Sequence, residues 1–163
     1  MRSTRLTIGL TLLLLGSTIT AQTLYVEMQV RGTEGFSPRE SDFIRATTDG
    51  LLETLWDAGY IVFDSGDPAA AQREGYLPNL LESARQGGAQ LLLVVELETD
   101  RVGAQAPLTP RSFRYRLISV ERGVPVESGT AAVAGLVDGD EVYRESYWIT
   151  LGGAVGREVL NAH

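Results

Sequence analysis

Glu96, Glu98 and Asp100 recur at every second residue beyond an apolar run, so an extended strand points all three carboxylates to one face. Two carboxylates held together on a rigid scaffold are the equipment of an acid-based hydrolase, one acting as acid and the other as base or nucleophile. Arg114 and Arg116 alternate in the same way on the next extended stretch. A register that sets Glu98 against Arg114 and Glu96 against Arg116 also sets Val94 against Ile118 and Leu92 against Val120. On the opposite face it joins Val95 to Leu117 and Leu97 to Tyr115. Opposite charges then meet on one side and apolar residues on both, which accounts for the acids as cross-strand partners without catalysis.

Other chemistries lack their side chains. The sole histidine is His163 and there is no cysteine, so Ser-His-Asp and Cys-His catalysis and a zinc site of His and Cys ligands have nothing to work with. Lysine is also absent, which removes Schiff-base chemistry and a phosphate-loop lysine. Asp138, Asp140 and Glu141 lie close together but lack the twelve-residue calcium-loop pattern, and they read as the acidic start of a helix. No cofactor and no metal is expected.

Two groups of residues suggest a surface for a partner. Arg111, Arg114, Arg116 and Arg122 form a basic strip in an acidic chain, suited to a phosphate or an acidic partner. The cross-strand pairing already uses Arg114 and Arg116, which leaves Arg111 and Arg122. Tyr143, Tyr147 and Trp148 cluster on one helical stretch, and aromatic residues of this kind are favoured at interfaces. The same stripe also suits a core-facing helix with Trp148 at the edge of the packed face, and Trp56 invites the same caution. The candidate interaction surface is therefore Tyr143, Tyr147, Trp148, Arg111 and Arg122.

The elements that must position these residues follow from periodicity. Leu24, Val26, Met28 and Val30 alternate with Tyr25, Glu27, Gln29 and Arg31 as a strand with one apolar face. Ser37, Pro38 and Glu40 mark a helix start, Phe43, Ile44, Thr47, Leu51, Leu52 and Leu55 supply its inner face, and Gly59 is its left-handed cap. A short strand covers residues 60–63. Residues 68–86 read as helical with a break at Pro78, then a helix turning Leu80, Leu81 and Ala84 inward. Residues 91–95 are apolar on both faces, which suits a central strand. Strands over residues 112–121 and 124–134 form a hairpin, with Pro125 favouring an edge. Asp138 or Asp140 caps a last helix running through Val142, Tyr143, Tyr147, Leu151, Val155 and Val159. Its Gly152, Gly153 and Gly156 would let it lie close against the sheet.

The amino terminus carries its own signal. Arg2 and Arg5 precede the apolar residues 6–15, and a small, polar stretch ends at Ala21. This is the pattern of a cleavable signal peptide over residues 1–21, too short in its apolar part to span a bilayer. Removing Arg2 and Arg5 leaves 12 basic against 21 acidic residues, a net charge of −9. Such a chain is poorly suited to nucleic acid or to an anionic membrane. With no cysteine to carry a lipid, no stable membrane insertion is expected after cleavage, and the destination is the periplasm or the exterior.

The segment Gly59-Tyr60-Ile61-Val62-Phe63-Asp64 behind a helix ending Leu51-Leu52-Glu53-Thr54-Leu55, and Gly88-Ala89-Gln90 leading into Leu91-Leu92-Leu93-Val94-Val95-Glu96 with a hairpin after it, resemble one known domain. It is shared by the TolB amino-terminal region, the curli secretion protein CsgG and the outer-membrane activators of cell-wall synthases. The resemblance covers residues 24–160 and implies an envelope protein that acts through contacts rather than catalysis. The stretch 101–110 is too short for a membrane-spanning hairpin, so a pore is not expected.

The expected fold is α+β: a single domain over residues 22–163 in the order β-α-β-α-β-β-β-α, a mixed sheet of about five strands with helices packed on it. The expected function is that of an exported, non-enzymatic envelope protein with a protein partner. Two alternatives stand beside it. One is a small-ligand-binding protein with a cleft shaped by the loop 102–109 and the Tyr76-Leu77-Pro78 break; the other is a carboxylate hydrolase centred on Glu96 and Glu98.

Overall fold

In the computed structural model five strands form one mixed sheet in the order β2-β1-β3-β4-β5. The structure describes residues 21–32, 37–66, 76–101, 106–137 and 141–162. The elements are β1 (Thr23–Arg31), α1 (Pro38–Asp57), β2 (Ile61–Asp64), α2 (Tyr76–Gln86), β3 (Leu91–Asp100), β4 (Thr109–Ser119), β5 (Val124–Ala132) and α3 (Glu145–Ala162). The fold class and element order are those expected. The leader, the turn before α2 and the Asp138 or Asp140 cap lie outside the described residues. Among the described residues no helix is long and apolar enough to cross a membrane.

β1 runs parallel to β2 and β3, whereas β3-β4 and β4-β5 are antiparallel. The doubly apolar β3 is central, as its composition requires, and β5 with Pro125 is an edge. α1 and α3 cover one face of the sheet, closing a core around Val26, Leu51, Leu93, Leu97, Phe113, Trp148 and Val155. α2 covers part of the other face, packing Leu80 and Ala84 on Tyr25, Leu92, Val94 and Ile118.

The local signals around α1 hold. The Ser37 hydroxyl accepts from the Glu40 backbone N–H at 3.3 Å, and the Glu40 carboxylate accepts from the Ser37 N–H at 2.8 Å. This closes a capping box with Pro38 in the first turn. Gly59 ends the helix at φ 94°, a conformation that a residue with a Cβ rarely adopts.

Three expectations need correction. Pro78 does not break the described helix α2 (Tyr76–Gln86) but sits in its first turn, where a missing N–H is tolerated, and residues 68–75 of the expected helical stretch lie outside the described residues. The glycines of α3 press on α1 rather than on the sheet. A Cβ on Gly152 would overlap the Thr47 carbonyl oxygen, and one on Gly156 would meet the Thr54 side chain. The β3-β4 register is slid by two residues, pairing Glu96 with Arg114, Val94 with Arg116 and Glu98 with Ser112. Apolar alternation cannot detect this slide, because a two-residue step keeps every side chain on its own face. Leu97 lies opposite Phe113 and Val95 opposite Tyr115, and both rings belong to the core under α1 and α3.

Candidate interaction surface

The acids of β3 lie on the outer part of the sheet face that α2 covers only in part. Glu96 is 4% exposed and its carboxylate takes three guanidinium groups, Arg31 at 3.3 Å, Arg116 at 3.0 Å and Arg114 at 3.6 Å. Arg114 also reaches Glu98 at 3.3 Å, and the Ser112 hydroxyl donates to Glu98 at 3.0 Å. The slid register leaves Arg116 diagonal to Glu96, within reach of a long side chain. Both carboxylates of the expected acid pair are thus engaged by arginines.

Among the described residues, the place where α/β sheets usually receive a ligand is occupied by contacts of the chain with itself. α1 crosses on one face and α2 on the other, so the strand order reverses between β1 and β3, and the crevice beyond their carboxyl ends is the usual binding position. Here the Thr99 hydroxyl donates to the Arg31 carbonyl at 2.8 Å, and a Cβ on Gly32 would overlap the Thr99 carbonyl. The amino terminus of α1, a ready anion site, is filled by Glu40, which is also ion-paired to Arg101. Burial pushes the Glu40 carboxyl up, but the Ser37 N–H and hydroxyl together with the Arg101 charge hold it below the ordinary range.

The residues expected at an interaction surface divide into three groups. Trp148 is in the core, fully buried, stacked on Phe43 at 5.5 Å between ring centres and edge-on to Tyr147 at 5.8 Å. Its indole N–H donates to the Val142 carbonyl at 2.9 Å, so it belongs to the packing and not to the surface. Arg122 sits in the β4-β5 turn, with its guanidinium donating to the Ser119 hydroxyl at 3.4 Å. That is the opposite end of the hairpin from Arg111, which pairs with Asp100 at 2.7 Å. The remaining three residues, Tyr143, Tyr147 and Arg111, come together on one groove of about 790 Å³.

Pro107, Pro110, Val133 and Val137 complete the walls of that groove. Tyr143 is 58% exposed and lies outside α3, which starts at Glu145 rather than at Val142. Its backbone is nonetheless fixed. The Arg39 guanidinium donates to the Tyr143 carbonyl at 3.0 Å while resting over the Phe43 ring at 5.4 Å, and Trp148 holds the carbonyl one residue earlier. An exposed phenol on an immobilised backbone loses little freedom when a partner covers it. The sequence marks Pro107 and Pro110 only as a linker before β4, and nothing in it signals that they line a groove with Val133 and Val137.

Among the described residues the two segments expected to shape a small-ligand cleft lie on opposite faces of the sheet. Leu108, from the loop before β4, is in the core below α1 and α3, while Leu77 packs with α2 on the other face of the sheet. Residues 102–105 of that loop lie outside the described residues. A smaller hollow of about 230 Å³ opens where β2 stops, between Val26, Met28 and Ile44, with Arg45, Asp49 and Asp64 at its rim. Among the described residues no group of His, Cys, Asp and Glu is arranged to hold a metal ion.

No family model matches the chain, and no curated protein matches it. Solved structures do show a likeness in chain path. PelC from Paraburkholderia phytofirmans, solved as a dodecamer, is 19% identical over 83% of this chain and 86% of its own, with a TM-score of 0.48. Lipoprotein GNA1162 from Neisseria meningitidis is 18% identical over 87% and 99%, with a TM-score of 0.47. The LpoB C-terminal domain from Salmonella enterica is 19% identical over 71% and 85%, with a TM-score of 0.36. The likeness is thus to bacterial proteins that include a lipoprotein, and the narrower kinship with TolB and CsgG is not carried further.

Proposed function

We propose that this chain is an exported, non-enzymatic envelope protein that docks a protein partner in the groove formed by Tyr143, Tyr147 and Arg111. The carrying observation is Tyr143, more than half exposed, on a backbone fixed by Arg39 and Trp148 at the mouth of a groove walled by prolines and valines. Rigid aromatic anchors beside apolar pockets, with an arginine at the rim, are the composition of a protein-binding hot spot. The occupied acids of β3 and the filled crevice at the carboxyl ends of β1 and β3 speak against catalysis and small-ligand binding as the main activity. Export rests on the leader pattern of residues 1–21, with the periplasm or the exterior as the destination.

The test is capture of binding proteins from the organism's own envelope extract by the exported chain and by a Tyr143→Ala/Arg111→Glu variant of equal thermal stability. The proposal expects a small set of proteins held by the first and at least tenfold depleted on the second. Equal recovery on both would remove the groove from the account. Turnover of a substrate by the purified chain, lost in Glu96→Gln, would replace it with the hydrolase reading.

A further inference from the structure

The free edge of the sheet has the backbone pattern and the charge pattern of a self-pairing strand. Val133 donates to the Arg111 carbonyl at 2.8 Å, and Ser112 lies opposite Ala132. In an antiparallel ladder the bonded pairs alternate, so Ala131, Gly129 and Glu127 turn their N–H and C=O toward β4. Ser128, Thr130 and Ala132 therefore present theirs outward. Among the described residues no strand pairs with this side.

Sheet edges are normally blunted by charge, proline, a bulge or shortness. The opposite edge, β2, is only four residues long. On β5 the proline and the register shift are confined to the start, at Pro125 beside Leu117 and Ile118. From Glu127 to Ala132 the strand is Glu-Ser-Gly-Thr-Ala-Ala, with one charge and no bulky side chain. Val124 and Val126 just before it are 46% and 39% exposed.

We propose that β5 pairs antiparallel with β5 of a second copy of this chain, about a two-fold axis between Ser128 and Thr130, making one ten-stranded sheet. A two-fold pairing centred there bonds outward-facing residues only to outward-facing residues, so no backbone group is misdirected. It also sets Glu127 opposite Ala131 of the second copy and never opposite another Glu127. Val126 comes to lie beside Ala132 of the mate and loses its exposure. The strongly acidic balance of the molecule does not oppose the contact locally, since Arg114 and Arg116 stand on the adjacent strand, opposite Thr130 and Ser128. The groove of Tyr143 begins past the end of β5, at Val133, and remains open in such a pair.

The experiment is sedimentation of the purified chain over a wide concentration range, beside Thr130→Pro and Ser128→Cys variants. Proline at 130 removes an N–H that faces solvent, so the fold is retained while the edge is blocked. The expected result is a concentration-dependent dimer for the parent and a monomer for Thr130→Pro, with equal melting temperatures at dilutions where the parent is also monomeric. Where the proline lowers the melting temperature, Thr130→Lys replaces it, because the two lysines would repel across the axis. Since the chain has no cysteine, Ser128→Cys is a clean probe: a short bis-maleimide should bridge it to a second copy, and should not bridge Glu53→Cys on the outer side of α1. A parent that stays monomeric throughout, a dimer that survives both edge variants, or a Ser128→Cys variant that bridges only to a different protein would each overturn the proposal.

Discussion

The carbonyl oxygen of Thr47 fills the space into which a Cβ on Gly152 would grow. α1 and α3 meet there backbone against backbone, and the same closeness recurs where a Cβ on Gly50 would overlap the Ile149 carbonyl. Gly152→Ala must push two helices apart across a packed core, which costs about 1–3 kcal/mol or more. Gly153 is the control, because its neighbours are the Thr54 hydroxyl and the end of Arg157, at 3.2 and 3.4 Å. Gly153→Ala gains helix propensity of about 1 kcal/mol and should leave stability nearly unchanged. Urea unfolding of both variants, at constant m-value, checks the difference.

Glu96 is the hub of the polar sheet face, and its neighbours Arg31, Arg114 and Arg116 converge on one buried carboxylate. Glu96→Gln keeps the shape and removes the charge, and is expected to destabilise the chain by about 1–3 kcal/mol. Glu98→Gln, at an exposed position, should cost less than about 1 kcal/mol. Melting temperatures of the two variants test the ranking; the reverse order would mean that Glu96 is not the centre of the network.

Glu40 links stability to acidity. Its folded carboxyl lies below the ordinary value of 4.5, despite the upward push of burial, because the Ser37 donors and Arg101 favour the charged form. A group depressed in the folded state contributes stability above its unfolded value and loses it as pH falls through the folded one. The expected outcome is a melting temperature that drops as pH is lowered from about 5, with a weaker drop in Glu40→Gln. An identical pH profile for the two proteins would show that the capping box and the Arg101 pair carry no linkage.

Trp148 and Tyr143 are near neighbours with opposite duties. Trp148→Ala empties a core position and is expected to cost about 3–5 kcal/mol. Tyr143→Ala removes an exposed ring and should change stability by no more than about 0.5 kcal/mol. Thermal unfolding separates them: a large loss in Tyr143→Ala would make it a structural residue and weaken its assignment to an interface.

The fold was readable because its signals are local. The capping box of Ser37 and Glu40, the left-handed Gly59 and the doubly apolar β3 each depend on a few adjacent residues, and all three are where the chain predicts them. What the chain hides is set by distant partners. Sliding Arg114 from Glu98 to Glu96 changes no residue's face, so alternation is blind to it. Gly152 and Gly156 announce a close approach but not whether the neighbour is a sheet or a helix. The same holds at the surface. Tyr143, Tyr147 and Trp148 form one stripe in sequence, yet α3 begins at Glu145, which frees Tyr143 to the groove and turns Trp148 onto Phe43. Arg111 and Arg122 look alike in composition and stand at opposite ends of one hairpin.

The most direct test of docking in the groove is a photo-crosslinking phenylalanine placed at Tyr143 and, separately, at Trp56, which is also exposed but lies on α1 away from the groove walls. After irradiation in the native envelope, the account expects one or two protein adducts from position 143, abolished by Arg111→Glu, and none of the same adducts from position 56. Adducts shared equally by the two positions, or no adduct from position 143 under conditions where a known complex crosslinks, would contradict it.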